Sequence, residues 1–517
     1  MNTTTFTALA HLLEGEKILV AETLPQGTAD VTISGSSCDS RTVSPHNLFV
    51  CKGVAFRPAF LTSALQAGAS AYLCDEAHAD ELASVAPHVP ALVTSDVRRA
   101  MALCSAAAWD RPDQALPLVG ITGTKGKTTC AYMLRSIMDC ANGPKTCGIM
   151  GTVETFDGVE DQPSQNTTPE APDLWRHLSH ARDAQLKALI MEVSSQALKY
   201  DRTLGVHLAI GCFLNIGLDH ISPVEHKDFE DYFSSKLKIF SQCETAVVNL
   251  DSDHADRILE TARAHATRTL TFALSNPKAN AWADELAHSE EGVSFSLHLD
   301  GWTRRVQLPF PGDFSVSNAL CAALCAHLLG AGPEAIVDGL AHTRVPGRME
   351  FHRTSDRLIT AIVDYAHNRL SFESLLSTVS STFAGARVIA VFGAVGGKAT
   401  ERRRVLPEVA AQYADHIILT SDDPWTEDPL DICHEMEAAL PQGFSHEIVV
   451  DREEAVARAF AQAEDAAAHG EKTVILLLAK GFENYQHVGN EFVPCPTDSE
   501  LAERGVAAHD ALDSNKL

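Results

Sequence analysis

One run, Gly123-Thr124-Lys125-Gly126-Lys127-Thr128-Thr129, carries the sharpest chemical signal in the chain. It follows the apolar stretch Leu116-Pro117-Leu118-Val119-Gly120-Ile121-Thr122. It precedes Ala131, Leu134, Ile137, Met138 and Ala141 at helical spacing, with Asn142-Gly143 to end the helix. A glycine-rich turn between strand and helix lets backbone N–H groups close around phosphate oxygens, and the helix N-terminus adds partial positive charge. Lys127 is placed to reach β- and γ-phosphates, and the Thr128 hydroxyl to ligate Mg²⁺. Ile121 stands where the common phosphate loop has a glycine, so the Thr-Gly-Thr-x-Gly-Lys-Thr form is a narrower variant. The bland alternative is a Gly/Thr-rich turn with an exposed lysine; the strand–loop–helix order argues against it. Glu192, in Met191-Glu192-Val193-Ser194-Ser195, ends another strand-like run. A carboxylate there faces the ligand crevice of an open α/β sheet and can hold Mg²⁺ directly or through water.

These groups need a scaffold, and the apolar pattern supplies one. Ala188 to Val193, Ala209 to Ile216 and Thr245 to Leu250 read as buried strands, as do Arg387 to Phe392, His416 to Thr420 and Thr473 to Leu478. Near-continuous apolar runs separated by helices predict parallel sheets covered on both faces. Trp109-Asp110-Arg111-Pro112-Asp113-Gln114 reads as a linker, and Thr343-Arg344-Val345-Pro346-Gly347 as a second boundary. The expected organisation is α/β in three domains. These are a small mixed N-terminal domain (1–112), a central phosphate-loop domain (113–344) and a Rossmann-like C-terminal domain (345–517).

The chain has 517 residues, 45% hydrophobic and 21% charged, with a formal net charge of -27. That balance suits a soluble globular protein and argues against nonspecific nucleic-acid or acidic-membrane binding. The thirteen cysteines include no CxxC pair, so neither a zinc ribbon nor a disulfide framework is indicated. Cys130 and Cys140 sit in apolar patterns and are expected to be buried thiols of a cytoplasmic protein. No signal peptide, spanning segment or internal repeat is read, and the polar tail from Asp513 is expected to be loose.

The loop, then Asn166-Thr167-Thr168-Pro169-Glu170, Met191-Glu192-Val193-Ser194-Ser195-Gln196-Ala197-Leu198 and Asn215-Ile216-Gly217-Leu218-Asp219-His220, together resemble the Mur ligases. Within them the likeness is to the MurE type, which adds the third residue to a UDP-N-acetylmuramoyl-dipeptide. Asp39-Ser40-Arg41, Asn47-Leu48-Phe49-Val50, Gly347-Arg348-Met349-Glu350, Asp364-Tyr365-Ala366-His367 and Lys480-Gly481-Phe482-Glu483 extend it along nearly the whole chain.

The resemblance implies an acyl-phosphate mechanism. The substrates are ATP, UDP-N-acetylmuramoyl-L-alanyl-D-glutamate and an amino acid, and two Mg²⁺ ions assist. It places Gly123 to Thr129, Asn318, Arg348 and Asp364 at ATP. Ser40, Arg41, Thr167, Thr168, Ser194 and Arg202 fall at the UDP-dipeptide, and Thr128, Glu192, His220 and Lys236 at the metals. Lys127, His220, Lys236 and Arg348 are the implied catalytic set. Lys236 matches a lysine that the family carries as a carbamate. An unmodified ammonium about 4 Å from Mg²⁺ would be repelled by roughly 8 kcal/mol at an effective dielectric of about 20. An ordinary surface lysine is the alternative, with Lys238 as an equally basic neighbour. His367 also reads as a packed core histidine. A monomer is expected, closing its last domain onto the central one.

For the added amino acid, relatives that use meso-diaminopimelate carry Asp-Asn-Pro-Arg, whose arginine grips the distal carboxylate. Here the run is Asp422-Asp423-Pro424-Trp425, and Trp425 cannot supply that cationic fork. Asp422, Asp423 and Glu483 offer negative charge to a side-chain ammonium, with Lys398 for the α-carboxylate, so L-lysine is expected. Ornithine differs by one methylene, worth about 1–3 kcal/mol. Ala479 replaces a usual glycine. Competing readings are a folate polyglutamate ligase, a lipid-precursor amidating relative and a noncatalytic nucleotide-binding regulator of wall synthesis. The degenerate loop expected of the last is absent from the sequence.

Overall fold

A computed structural model of the chain describes residues 4–26, 29–222 and 225–514. It forms two compact units. One comprises Met1–Glu285, Phe295–Gln307 and Asp313–His342; the other comprises Leu286–Ser294, Leu308–Gly312 and Thr343–Leu517.

In the first unit a five-stranded sheet runs in the order Leu19–Thr23, Ala91–Thr94, Ala71–Asp75, Leu48–Val50, Ser36–Ser37. All its neighbours are parallel except the first pair. A larger sheet carries a parallel series in the order Cys147–Met150, Ala188–Glu192, Leu118–Thr122, Leu208–Phe213, Cys243–Asn249, Arg268–Ala273. Every residue of Leu118–Thr122 and Ala188–Glu192 is buried, which is why these strands read as unbroken apolar runs. The edge hairpin Glu154–Phe156 with Asp161–Pro163 is antiparallel and absent from the sequence expectation, because one of its strands is wholly exposed.

The strand expected over 209–216 ends at Phe213. Leu214 and Asn215 turn away to brace the phosphate loop. Helix Asp313–Leu328 is buried over most of its circumference. Small residues such as Ala319, Ala322 and Ala326 admit close neighbours there. Each buried leucine, isoleucine or phenylalanine of this core contributes about 1.5–3 kcal/mol through area removed from water.

The second unit is a six-stranded sheet in the order Glu350–Arg353, Ile359–Asp364, Thr473–Leu478, Arg387–Phe392, His416–Leu419, His446–Ile448. It is parallel except for its first pair. Asp364, Asp422 and Lys480 fall at or just past the C-terminal ends of these strands, where open α/β sheets bind ligands. The architecture is α/β, as the apolar runs indicate.

Cys130 is buried as expected, but Cys140 is exposed, because it lies in the last turn of helix Lys127–Asn142 on the face away from the core. Helix Asp498–Ser514 carries the backbone through the start of the tail expected to be loose. Residues 515–517 of that tail lie outside the described residues, as do Pro223 and Val224. Among the described residues no helix is long and apolar enough to cross a membrane.

Candidate active site

Gly126 caps helix Lys127–Asn142 with a φ of 88°, a left-handed value that favours glycine. A Cβ there would collide with Asn318 Oδ1, so helix Asp313–Leu328 presses directly on the loop. Asn215 clasps the loop from the other side. Its carbonyl accepts from Thr124 N at 3.0 Å, its side-chain oxygen accepts from Lys125 N at 2.9 Å, and its Nδ2 donates to Lys125 O at 3.0 Å. Thr124 Oγ1 accepts from Gly217 N and lies 3.0 Å from the Tyr232 hydroxyl. Lys125 pairs with Asp219 at 3.1 Å. The cradle is thus held open by side chains rather than by the loop alone. Thr129 follows it in the first helical turn.

Two ammonium groups converge on one oxygen. Lys127 Nζ donates to Gly123 O at 3.0 Å and Lys236 Nζ donates to the same atom at 2.9 Å. Lys236 is 2% exposed. Burial first, and the neighbouring Lys127 second, hold its amine well below the ordinary lysine range. The surface-lysine alternative therefore does not describe Lys236. Opposite, Thr128 Oγ1 donates to Glu192 Oε2 at 3.0 Å. Glu192 also accepts from Thr152 N at 2.8 Å and Thr152 Oγ1 at 3.1 Å. This hydroxyl–carboxylate pair offers hard oxygen donors of the kind Mg²⁺ takes. His220, at a φ of 57°, reaches the same loop indirectly: its ring lies 5.8 Å from that of Tyr232, and Nδ1 lies 3.1 Å from Glu225 Oε1.

A second group of polar residues adjoins Glu192. Thr168 Oγ1 donates to Glu192 O at 2.8 Å and accepts from Ser194 N at 3.0 Å. Thr167 Oγ1 lies 3.1 Å from Thr152 Oγ1. Arg202 donates to Thr168 O at 3.1 Å and pairs with Glu170 at 2.8 Å. Glu170 is also held by Lys52 at 2.5 Å. Burial pushes the Glu170 carboxyl up, but Lys52 and Arg202 outweigh it and the net shift is downward. Ser40 is half-buried, whereas Arg41 is largely exposed and grips Asp39 with its guanidinium at 2.6 Å.

In the second unit, Arg348 stacks its guanidinium 4.8 Å from the Tyr365 ring. Asp364 accepts Met349 N and Ala366 N, each at 2.8 Å, and so fixes the backbone on both sides of that arginine's pocket. His367 lies with Nδ1 2.7 Å from Tyr365 O. Asp422, Asp423 and Glu483 gather as expected, but around an internal cation. Lys480, fully buried, lies 2.8 Å from Asp423, 3.1 Å from Glu483 and 4.0 Å from Asp422. Part of the negative charge expected to face a ligand is already balanced. Desolvation raises the Asp422 carboxyl to about 6 despite Lys480. Pro424 is buried; Trp425 is 39% exposed, with Lys398 Nζ 5.8 Å from its ring. Ala479 sits at a φ of 77°, so the alanine at this glycine position carries a left-handed backbone.

The sequence reading assigned no role to Asn215, Thr152, Tyr232, Lys52 or Lys480. Asn215 and Lys480 stood in quoted motifs, but no spacing rule announces which backbone or carboxylate they meet.

Comparison with known proteins accords with this geometry. Residues 121–326 match the Mur ligase middle domain, and residues 347–481 the Mur ligase glutamate ligase domain. The UDP-N-acetylmuramoyl-L-alanyl-D-glutamate--L-lysine ligase of Enterococcus faecalis is 36% identical over 95% of this chain and 94% of that one. The UDP-N-acetylmuramyl-tripeptide synthetase of Bifidobacterium longum is 34% identical over 92% of each. Among solved structures, a UDP-N-acetylmuramoyl-L-alanyl-D-glutamate--2,6-diaminopimelate ligase matches with a TM-score of 0.64 and 26% identity, covering 98% of this chain and 99% of that one. With loop, carboxylate and buried lysine in place and these likenesses along its length, the chain belongs to the Mur ligase family.

Proposed function

We propose that this Mur ligase is the cytoplasmic, monomeric enzyme that uses ATP to join L-lysine to the D-glutamate of UDP-N-acetylmuramoyl-L-alanyl-D-glutamate during peptidoglycan precursor synthesis. The relatives named as lysine ligases support the reaction class. The observation that carries the amino-acid choice is the charge count at Lys480: three carboxylates against one lysine, with Trp425 where an arginine would be needed for a second carboxylate. An amino acid with a side-chain ammonium fits that balance. A distal carboxylate would meet those acids without a guanidinium partner of its own.

In the proposed reaction the glutamate carboxylate attacks the γ-phosphorus of ATP and ADP leaves. The lysine α-amine then attacks the acyl carbon of the acyl phosphate, phosphate leaves, and the amide nitrogen loses a proton. Lys127 and the Gly123 to Thr129 amides hold the triphosphate, and Asn318 fixes the loop. Arg348 and Asp364 also serve the nucleotide. Ser40, Arg41, Thr167, Thr168, Ser194 and Arg202 hold the UDP-dipeptide. Lys398 takes the α-carboxylate, and Asp422, Asp423 and Glu483, with Pro424 and Trp425, receive the side chain. Thr128, Glu192, His220 and Lys236, the last as a carbamate formed by its neutral amine and CO₂ with loss of a proton, would hold two Mg²⁺. Bound there, those ions would supply charge neutralisation between carboxylate and triphosphate. The proposed domain division is 1–112, 113–344 and 345–517.

The test is phosphate release by the purified enzyme with ATP and the UDP-dipeptide, offered L-lysine, L-ornithine or meso-diaminopimelate in turn. Lysine is expected to give the highest kcat/KM. A higher value with diaminopimelate overturns the amino-acid assignment, and no amino-acid dependence overturns the ligase reading.

A further inference from the structure

Outside the proposed active site, four metal-ligating side chains meet on the outer part of the first unit. The turn 157–160 joins the hairpin strands Glu154–Phe156 and Asp161–Pro163. It packs against helix Ala171–Asp183, which presents His177 and His180 one turn apart. His177 Nδ1 lies 2.6 Å and His180 Nδ1 2.8 Å from Asp157 Oδ2, and both lie 3.8 Å from Glu160 carboxylate oxygens. One ligand atom from each residue falls within 4.8 Å of every other.

We propose that Asp157, Glu160, His177 and His180 form a binding site for a divalent transition-metal ion, zinc being the best match, separate from the nucleotide cradle.

The ligand types and their spacing support it. Zinc takes imidazole nitrogen and carboxylate oxygen in a tetrahedron with bonds of about 2.0–2.1 Å, which sets neighbouring ligands about 3.3 Å apart. The Asp157 contacts at 2.6 and 2.8 Å lie below that edge, and the Glu160 contacts at 3.8 Å, one to each of its oxygens, lie just above it. A mixed nitrogen–oxygen set disfavours Mg²⁺, which asks for six oxygens. The site is also pre-organised. Asp157 is wholly buried, and its other oxygen accepts Val159 N at 2.9 Å and Glu160 N at 2.7 Å, fixing the carboxylate. Arg176 Nη1 pairs with Glu160 and orients it, the kind of outer partner that holds metal-ligating carboxylates. His177 is 4% exposed, while the His180 side chain is 24% exposed, which leaves an entry from solvent.

Without an ion, both Nδ1–H groups donate to Asp157 and Arg176 Nη2 faces His177 Nε2 at 3.3 Å. Binding moves each imidazole proton to Nε2, and Nη2 gives up that contact while Nη1 keeps Glu160. The change conserves protons when both rings are neutral.

The experiment titrates the full chain with Zn²⁺ against a chromophoric chelator, with no nucleotide present, and repeats it with His180→Gln and Glu160→Gln. Glu192→Gln controls for the proposed Mg²⁺ ligands. We expect one tight zinc equivalent in the wild type, weakened 10-fold or more by His180→Gln and by Glu160→Gln but not by Glu192→Gln, matching the size of losses when ligand shells are cut. Co²⁺ substituted into the wild type gives the visible bands of a tetrahedral nitrogen–oxygen site, a readout that needs no variant to fold. Unchanged zinc affinity in both site variants, or Co²⁺ spectra of the free hydrated ion, overturns the proposal. Loss of binding only in Glu192→Gln overturns it too, since the ion would then belong to the nucleotide site.

Discussion

Replacing Lys480 with methionine removes one cation from a buried group of three carboxylates. The methionine keeps most of the side chain's volume, so packing changes little and charge changes fully. Asp423 at 2.8 Å, Glu483 at 3.1 Å and Asp422 at 4.0 Å then lose the cation they share, and among the described residues only Asp422 keeps a cationic neighbour, Arg452. Breaking a buried ion pair by deleting one partner costs about 3–5 kcal/mol. The cost depends on pH, and its sign follows from proton counting. Without Lys480 the Asp422 carboxyl is raised further above its unfolded value. A raised acid binds more protons folded than unfolded. Its stability is therefore present at low pH and lost as pH rises through the folded pKa. Urea unfolding of Lys480→Met is expected to show a deficit of about 3–5 kcal/mol near pH 8 that shrinks by half or more near pH 5. Hydrogen exchange over Thr473–Leu478 should report the same trend locally, because Lys480 follows that strand. A deficit that is equal at both pH values, or below about 1 kcal/mol, would refute the reasoning.

Lys236→Ala is expected to lower kcat by a factor of about 100 or more, as for loss of a group that stabilises developing charge. Formate or acetate, which can occupy the vacated anion position, should partly restore it, and a failure of small carboxylates to do so would count against the carbamate. Ala479→Gly relieves a left-handed alanine worth about 1–2 kcal/mol, less the backbone entropy of glycine, so thermal unfolding should report a gain of about 0.5–1 kcal/mol. The Asp422 carboxyl, at about 6, ionises near neutrality. The KM for lysine should therefore rise as pH falls below about 6, by at most about tenfold per unit, and Asp422→Asn should flatten that limb.

Much of this was legible in the sequence because burial writes itself as composition. Thr473–Leu478 and Arg387–Phe392 are covered on both faces, so their apolar runs mark their bounds directly. The phosphate loop was legible because glycine, lysine and threonine are required at fixed offsets from a helix start. What stayed hidden depends on partners distant in the chain. Asn215 reads as one more polar residue until the strand Leu208–Phe213 brings it beside the loop. Lys480 looked like part of a motif, and its capture of Asp423 and Glu483 follows only from the parallel order of its strand among the others. The hairpin at 154–163 has too little buried surface to leave an apolar signature, yet it delivers Asp157 and Glu160 to the helix bearing His177 and His180.

The central claim is that the D-glutamate carboxylate of the UDP-dipeptide is activated by the γ-phosphate of ATP. Labelling that carboxylate with ¹⁸O and analysing the released phosphate by mass spectrometry tests it directly. The account predicts one ¹⁸O in each phosphate formed together with amide. Phosphate without label, at full turnover, would mean that water rather than the carboxylate receives the phosphoryl group, and would contradict it.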